Sequence, residues 1–313
     1  MTRAFVFPGQ GSQAVGMGKS LAEAFPAARH VFEEVDDSLR ESLSTVIFAG
    51  PEADLTLTSN AQPALMAVSL AVIRVREREF RLDLAVIASH VAGHSLGEYS
   101  ALAAAGALEL GAAARLLRLR GAAMQRAVRV GDGAMAALLG LDLAAAEAVA
   151  REAAQGDVCD CANDNAPGQV VVSGATAAVE RAVEIAKTRG ARRAVMLPVS
   201  APFHCALMRP AAEAMAEALA SAGIAPPRVP LVANVTASAV SDPGMIRDLL
   251  VRQVTGRVRW RESVTWMKDA GVTTLLECGA GKVLTGLARR IDPELAAIAL
   301  NGPDDLEAFA KTV

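Results

Sequence analysis

The feature that most constrains this chain is the stretch VAGHSLGEYS at residues 91–100. It contains Gly93-His94-Ser95-Leu96-Gly97, a G-x-S-x-G pattern, with SHVAG before it and EYSALAAAGAL after it. A glycine-rich turn can match such a pattern by accident, so its flanks decide what it means. Here the preceding run reads as a short strand and the following one as a buried helix rich in small residues. That setting predicts a strand turning so sharply into a helix that the serine takes up strained backbone angles and exposes its Oγ. Glycines flank it because side chains there would collide across the turn.

The rest of the chain supplies a matching frame. β-Branched runs such as AFVF (4–7) alternate with helical ones such as PALMAVSLAVIRVREREF (63–80) and GAAARLLRLRGAAMQRAV (111–128), the mark of an α/β protein with a mostly parallel sheet. From Gly133 to about Pro198 the rhythm changes to strand, helix, strand, strand, helix, strand, the split βαβ order of ferredoxin-like units. The expected fold is therefore α/β: a large α/β-hydrolase-like domain with a mostly parallel sheet, formed by 1–130 and 199–313, plus an inserted small ferredoxin-like domain, 131–198. VPLVANV (229–235), TTLLECG (273–279) and AAIAL (296–300) read as later strands.

Bulk properties exclude several classes. The 313 residues carry a net charge of −3, so nothing argues for nucleic acid or an anionic membrane as partner. Apolar runs are broken by charge well short of the about 18 residues a span requires. The start, MTRAFVFPGQGSQ, lacks a secretory core, and a cytoplasmic location is expected. Cys159, Cys161, Cys205 and Cys278 form no disulfide framework. Cys159 and Cys161 read as ordinary strand thiols, and no metal site is expected.

A serine hydroxyl needs a base, and only four histidines exist. His30 lies in a charged helical run and should face solvent. His90 lies within the strand before the turn. His94 adjoins the serine, but a sharp turn throws neighbouring side chains in different directions, so it reads as a packed or hydrogen-bonded support. Elimination leaves His204 in LPVSAPFHCALMRP, at a strand end where α/β folds gather their chemistry; a structural role for it stays equally open at this point. The helix beginning after Ser95 offers the Leu96 N–H toward a developing oxyanion. The loop FVFPGQGSQAVGMG matches a relaxed dinucleotide fingerprint, yet Glu33 and Glu34 lie in a helical pattern and Pro8 interrupts the turn. It reads better as a wall of the serine pocket, with Gln10 giving a second oxyanion donor.

FPGQGSQ, QPALMA, GHSLGEYSA, RLRGAAMQ, NAPGQVVVSG, PVSAPFHCALM, VRQVTGRVRW and GAGKVLTGL run in order from residue 7 to residue 287. Together they resemble the malonyl-CoA:acyl carrier protein transacylases of bacterial fatty acid synthesis and, more distantly, the acyltransferase domains of polyketide synthases. The resemblance implies Ser95 as nucleophile, His204 as general base and acid, and the Gln10 and Leu96 N–H groups as oxyanion hole. It implies that the backbone carbonyl of Gln253 orients the histidine. It implies that Arg120 clamps the free carboxylate of a malonyl group, whose planar geometry suits a guanidinium; on residue pattern alone Arg120 reads as a solvated helix face, as Arg115 and Arg118 do. Phe203 matches a position where an aromatic goes with malonyl over branched substrates. Malonyl-CoA and holo acyl carrier protein are the implied partners, with no cofactor, and a monomer is expected. Arg192, Arg193, Arg289 and Arg290 are candidates for docking an acidic carrier protein.

A serine hydrolase with the same turn is the main rival, since sequence does not show water exclusion. A dinucleotide-dependent oxidoreductase built on the Gly9 loop is another, and a nicotinamide-binding test separates it. A non-catalytic carrier-docking module is the third, disfavoured by the paired serine and histidine.

Overall fold

Strand β1 (Arg3–Phe7) lies in the middle of the larger sheet because Ala4, Phe5, Val6 and Phe7 are apolar on both faces and all four are buried. Such double burial is the rule for parallel strands covered by helices on each side. The computed structural model describes residues 2–312. In it β1 pairs in parallel with β2 (His90–Gly93) and β9 (Thr274–Cys278). Beyond β2 lies β7 (Leu231–Ala233), also parallel, and then β8 (Ser238–Val240), the one antiparallel edge strand. Beyond β9 lies β10 (Ala296–Leu300). The six strands are ordered β10-β9-β1-β2-β7-β8. The chain is thus mixed α/β with a mostly parallel main sheet.

A separate sheet joins β3 (Gly133–Leu139), β4 (Cys159–Ala166), β5 (Gln169–Ala175) and β6 (Arg193–Met196) in the order β4-β5-β3-β6, with every pairing antiparallel. Helices Leu143–Ala154 and Thr176–Thr188 pack on it, and Leu138, Val149, Val172 and Val179 centre its own apolar cluster. Asp142 starts the first of these helices by accepting from the Ala145 N–H at 2.8 Å, which satisfies one of its unpaired donors.

Two contacts tie the small sheet to residues 258–261 of the large unit. Asn163 of β4 forms a parallel bridge with Val258, and the Val258 N–H donates to Ala162 O at 2.8 Å. Arg261 then pairs with the buried carboxylate of Asp164 at 2.7 Å. β4 also meets the serine turn, where Asn165 Oδ1 lies 2.8 Å from His94 Nε2.

The 21-residue helix Thr58–Arg78 is the large unit's spine, buried almost throughout from Ala61 to Ile73. Helix Leu110–Ala127 crosses its start at Gly121, where a Cβ would meet Thr58 O at 2.5 Å. Only glycine permits that approach, and the approach carries Arg120 inward. Among the described residues no helix is long and apolar enough to cross a membrane.

Candidate active site

The β2-to-helix turn explains itself atom by atom. A Cβ on Gly93 would overlap the Gly97 carbonyl, and one on Gly97 would overlap Phe7 O of β1. Both glycines are thus forced by the closeness of the turn to itself and to the central strand. Ser95 between them has φ 53°, a left-handed conformation uncommon for serine. Its strained peptide is held at both ends: the Ser95 N–H donates to Asn234 Oδ1 at 2.8 Å, and Ser95 O accepts from Gln253 Nε2 at 2.9 Å. Asn234 also donates from Nδ2 to Gly93 O at 2.7 Å.

His204 lies on the loop after β6, with φ 59°, and its ring meets the serine. Nε2 is 2.7 Å from Ser95 Oγ, and Nδ1 is 2.9 Å from the backbone O of Gln253. A carbonyl can only accept, so Nδ1 carries the proton and Nε2 presents its lone pair to the hydroxyl. Burial, and then the nearby Arg120 charge, push the imidazole down to about 3. The ring is a neutral proton acceptor across the physiological range.

Arg120 is also buried, at 1% exposure. Its Nη1 donates to Gln62 Oε1 at 2.8 Å, and its Nη2 donates to Gln253 Oε1 at 2.8 Å and to Ser95 Oγ at 3.1 Å. The guanidinium has no carboxylate among those partners. Arg115, on the same helix, is exposed, and Arg118 pairs with Glu41 at 2.7 Å. The three arginines of one run therefore divide into a surface group, a surface ion pair and a buried cation aimed at the serine.

The Gln10 and Leu96 N–H groups donate to no protein acceptor among the described residues. The Gln10 side chain donates to Thr58 Oγ1 at 3.2 Å, which in turn shares a 3.0 Å hydrogen bond with Ser200 Oγ. Gly9 abuts the serine turn: a Cβ there would lie 2.8 Å from His94 O. The loop that resembles a dinucleotide fingerprint is packed against the turn instead of forming an open phosphate cradle.

His94 shares a 2.8 Å hydrogen bond between Nε2 and Asn165 Oδ1, and its ring lies 5.7 Å from that of Trp260. Its Nε2 is engaged by Asn165, and the hydrogen bond to the serine Oγ belongs to His204. His90 packs edge-on to Trp266 at 5.2 Å, and His30 is exposed. Phe203 is 8% exposed and belongs to the large unit's apolar cluster. A cavity of about 450 Å³ flanks His204 on the side of β4, bordered by Asp160, Cys161, Arg209, Thr255 and Arg257.

Four site residues went unassigned in the sequence reading. Asn234 directly follows β7 of the parallel sheet, on the rim where polar groups converge, and that position is its signal. Gln62 lies in QPALMA, a segment with no obvious chemistry of its own. Asn165 joins His94 to β4. Glu98 is a lone acid in a run of small residues, and that isolation is a sign of burial with a purpose. It is 1% exposed.

An acyl transferase domain model matches residues 4–290. The chain is 47% identical to the malonyl CoA-acyl carrier protein transacylase of Escherichia coli K12 over 305 residues, covering 97% of each. It superposes on a crystal structure of acyl-carrier-protein-S-malonyltransferase from Bartonella henselae with a TM-score of 0.98 and 58% identity, covering 100% of this chain and 99% of that one. A structure of a type II PKS acyl-carrier protein in complex with its malonyl-transacylase matches over 100% of both chains, with a TM-score of 0.97 and 44% identity.

Proposed function

The chain is an acyltransferase of the malonyl CoA-acyl carrier protein transacylase family, and on that premise we propose that it moves a malonyl group from coenzyme A to the phosphopantetheine thiol of an acyl carrier protein through an ester on Ser95. The observation that carries this reading is the convergence on one oxygen: Ser95 Oγ has a neutral imidazole at 2.7 Å and a buried guanidinium at 3.1 Å. An imidazole beside a hydroxyl suits acyl transfer in general. A buried cation without a carboxylate partner, next to that hydroxyl, suits an acyl group that brings its own carboxylate.

In the first half-reaction the Ser95 proton passes to His204 Nε2 as Oγ attacks the thioester carbon. The Gln10 and Leu96 N–H groups receive the charge that develops on the carbonyl oxygen. The C–S bond breaks, the coenzyme A sulfur takes the proton from His204, and the malonyl ester remains on Ser95. In the second half the carrier thiol gives its proton to His204 and attacks the ester. Ser95 then leaves and recovers its proton. The Gln253 carbonyl stabilises the transient imidazolium through Nδ1–H. Arg120 grips the malonyl carboxylate throughout, and Phe203 stands as the sieve against branched acyl groups, a discrimination worth about 1–3 kcal/mol.

The same reading takes 131–198 as a ferredoxin-like insertion in an α/β-hydrolase-like domain, supported by the order β4-β5-β3-β6 and its two packed helices. It takes an acidic carrier protein as partner, supported by the exposed Arg192, Arg193, Arg289 and Arg290 and by the relative solved with its carrier, and it places the enzyme in the cytoplasm as a supplier of fatty acid synthesis. The test is incubation with malonyl-CoA and then with holo carrier protein, following adduct, transfer and hydrolysis separately. A stable malonyl-enzyme discharged by the carrier is expected; discharge to water at the same rate without carrier would favour a hydrolase.

A further inference from the structure

Glu98 takes no part in the steps above, yet it lies at the centre of the hydrogen bonds that hold the site. Its Oε1 accepts from the Asn234 N–H at 2.6 Å, and its Oε2 accepts from Gln253 Nε2. Asn234 in turn holds the Ser95 N–H and Gly93 O. Gln253 holds Ser95 O through Nε2 and Arg120 through Oε1, while its backbone carbonyl holds His204. Both ends of the strained serine peptide, the guanidinium and the imidazole thus trace back to two residues, and those two residues meet on one carboxylate.

We propose that Glu98 is a positioning residue for the malonyl transfer proposed above: by accepting from Asn234 and Gln253 it sets the orientation of the Gln253 side-chain amide, and through that amide the Ser95 peptide and the Arg120 guanidinium. The reason lies in the asymmetry of an amide. Turned over, Gln253 would present an oxygen to Ser95 O and to Glu98, and an NH₂ to Arg120, so all three contacts would become like-to-like. A carboxylate is acceptor-only and makes the turned-over state the costliest at this position. A glutamine at 98 would supply an NH₂ of its own and make that state competitive. Burial raises Glu98 to about 8, while the Asn234 N–H, the Gln253 amide and Arg120 pull the other way. Both of its hydrogen-bond partners donate, so the ionised carboxylate is the species that fits them.

The test is Glu98→Gln, assayed above that pH with malonyl-CoA and acetyl-CoA in parallel. Loss of the Arg120 tether should raise the KM for malonyl-CoA about tenfold and lower the malonyl-over-acetyl ratio of kcat/KM by a similar factor, the scale of one charge-assisted hydrogen bond. The conservative variant Glu98→Asp keeps a group that only accepts and should retain most of the ratio. An unchanged KM with equal loss for both acyl groups would reduce Glu98 to a structural role and overturn the proposal, as would a Glu98→Gln enzyme indistinguishable from wild type. Should Glu98→Gln not accumulate in folded form, a Glu98→Asp enzyme that has lost the ratio, or does not fold, overturns it as well. Wild-type enzyme that transfers no malonyl group would instead refute the transfer reading, so the two failures are distinguishable.

Discussion

Arg120 Nη2 donates to Ser95 Oγ across 3.1 Å, so the hydroxyl accepts from a buried cation while it donates to His204 Nε2 at 2.7 Å. The same positive charge, after burial itself, depresses the basicity of the imidazole. An incoming carboxylate changes that balance. By neutralising Arg120 it removes a repulsion from the imidazolium that forms when Ser95 is deprotonated. Charge on the substrate would then help the proton transfer as well as the binding.

Substitution of Arg120 therefore separates charged from uncharged acyl groups. Arg120→Ala should lower kcat/KM for malonyl-CoA by about 10²–10³, the scale of two charge-assisted bonds, while acetyl transfer should change far less or improve. Arg120→Lys keeps the charge but not the planar fork, and should recover only part of the loss. Parallel kinetics with the two thioesters check this, and equal losses would remove the clamp.

Ser95→Ala should abolish the covalent malonyl-enzyme and lower transfer by about 10³-fold or more, since nucleophile and base act as a unit. Intact-mass measurement after malonyl-CoA treatment reads the outcome directly. An adduct persisting on the variant would place the nucleophile elsewhere.

Asn234→Ala removes one side chain that ties both the Ser95 N–H and Gly93 O. It leaves those two backbone groups without their partner in a buried turn, and should cost about 1–3 kcal/mol of stability for an unsatisfied buried group. The acylation rate should also fall, because φ 53° at Ser95 persists only when its surroundings enforce it. Urea unfolding and single-turnover acylation check the two effects; a variant with wild-type values in both would mean the turn holds itself.

His204 imposes a defined pH dependence. With the folded value near 3 and the unfolded value near the usual ~6.5, the unfolded chain binds the extra proton between those limits. Stability is unaffected by this group above about pH 6.5 and falls as pH drops toward 3, with a slope approaching ~1.4 kcal/mol per pH unit. His204→Gln should show a shallower loss over the same window in denaturant titrations. Matching slopes would mean the imidazole protonates in place. Acylation, for its part, should show no acid limb near pH 6.5 in rapid-quench measurements on the wild type.

The turn at Ser95 was legible because its causes are local. Gly93 and Gly97 are forced by atoms a few residues away and by one neighbouring strand, and the strand and helix on either side carry their own periodicities. The strand, helix, strand, strand, helix, strand succession of the small sheet was legible for a similar reason. Short β8 was not anticipated, since three residues pairing only with β7 carry no periodicity to read. β6 ends at Met196, because Pro198, two residues on, cannot continue the ladder.

The chain's own letters determined that a serine would stand on a sharp strand-to-helix turn at residue 95 and that an α/β frame would present it, and they singled out His204 among four histidines as the candidate to meet it. They did not determine which of four arginines in one helix would be buried, nor that Glu98, Gln62, Asn234 and Gln253 would converge on the same few atoms. Those are contacts between residues 19 to 158 positions apart, created when two helices close at Gly121 and when the β6-to-helix loop folds onto β2. Periodicity and turn chemistry act over a handful of residues. Burial, charge pairing and the direction of a hydrogen bond depend on what the folded chain brings alongside, and that is decided only in three dimensions.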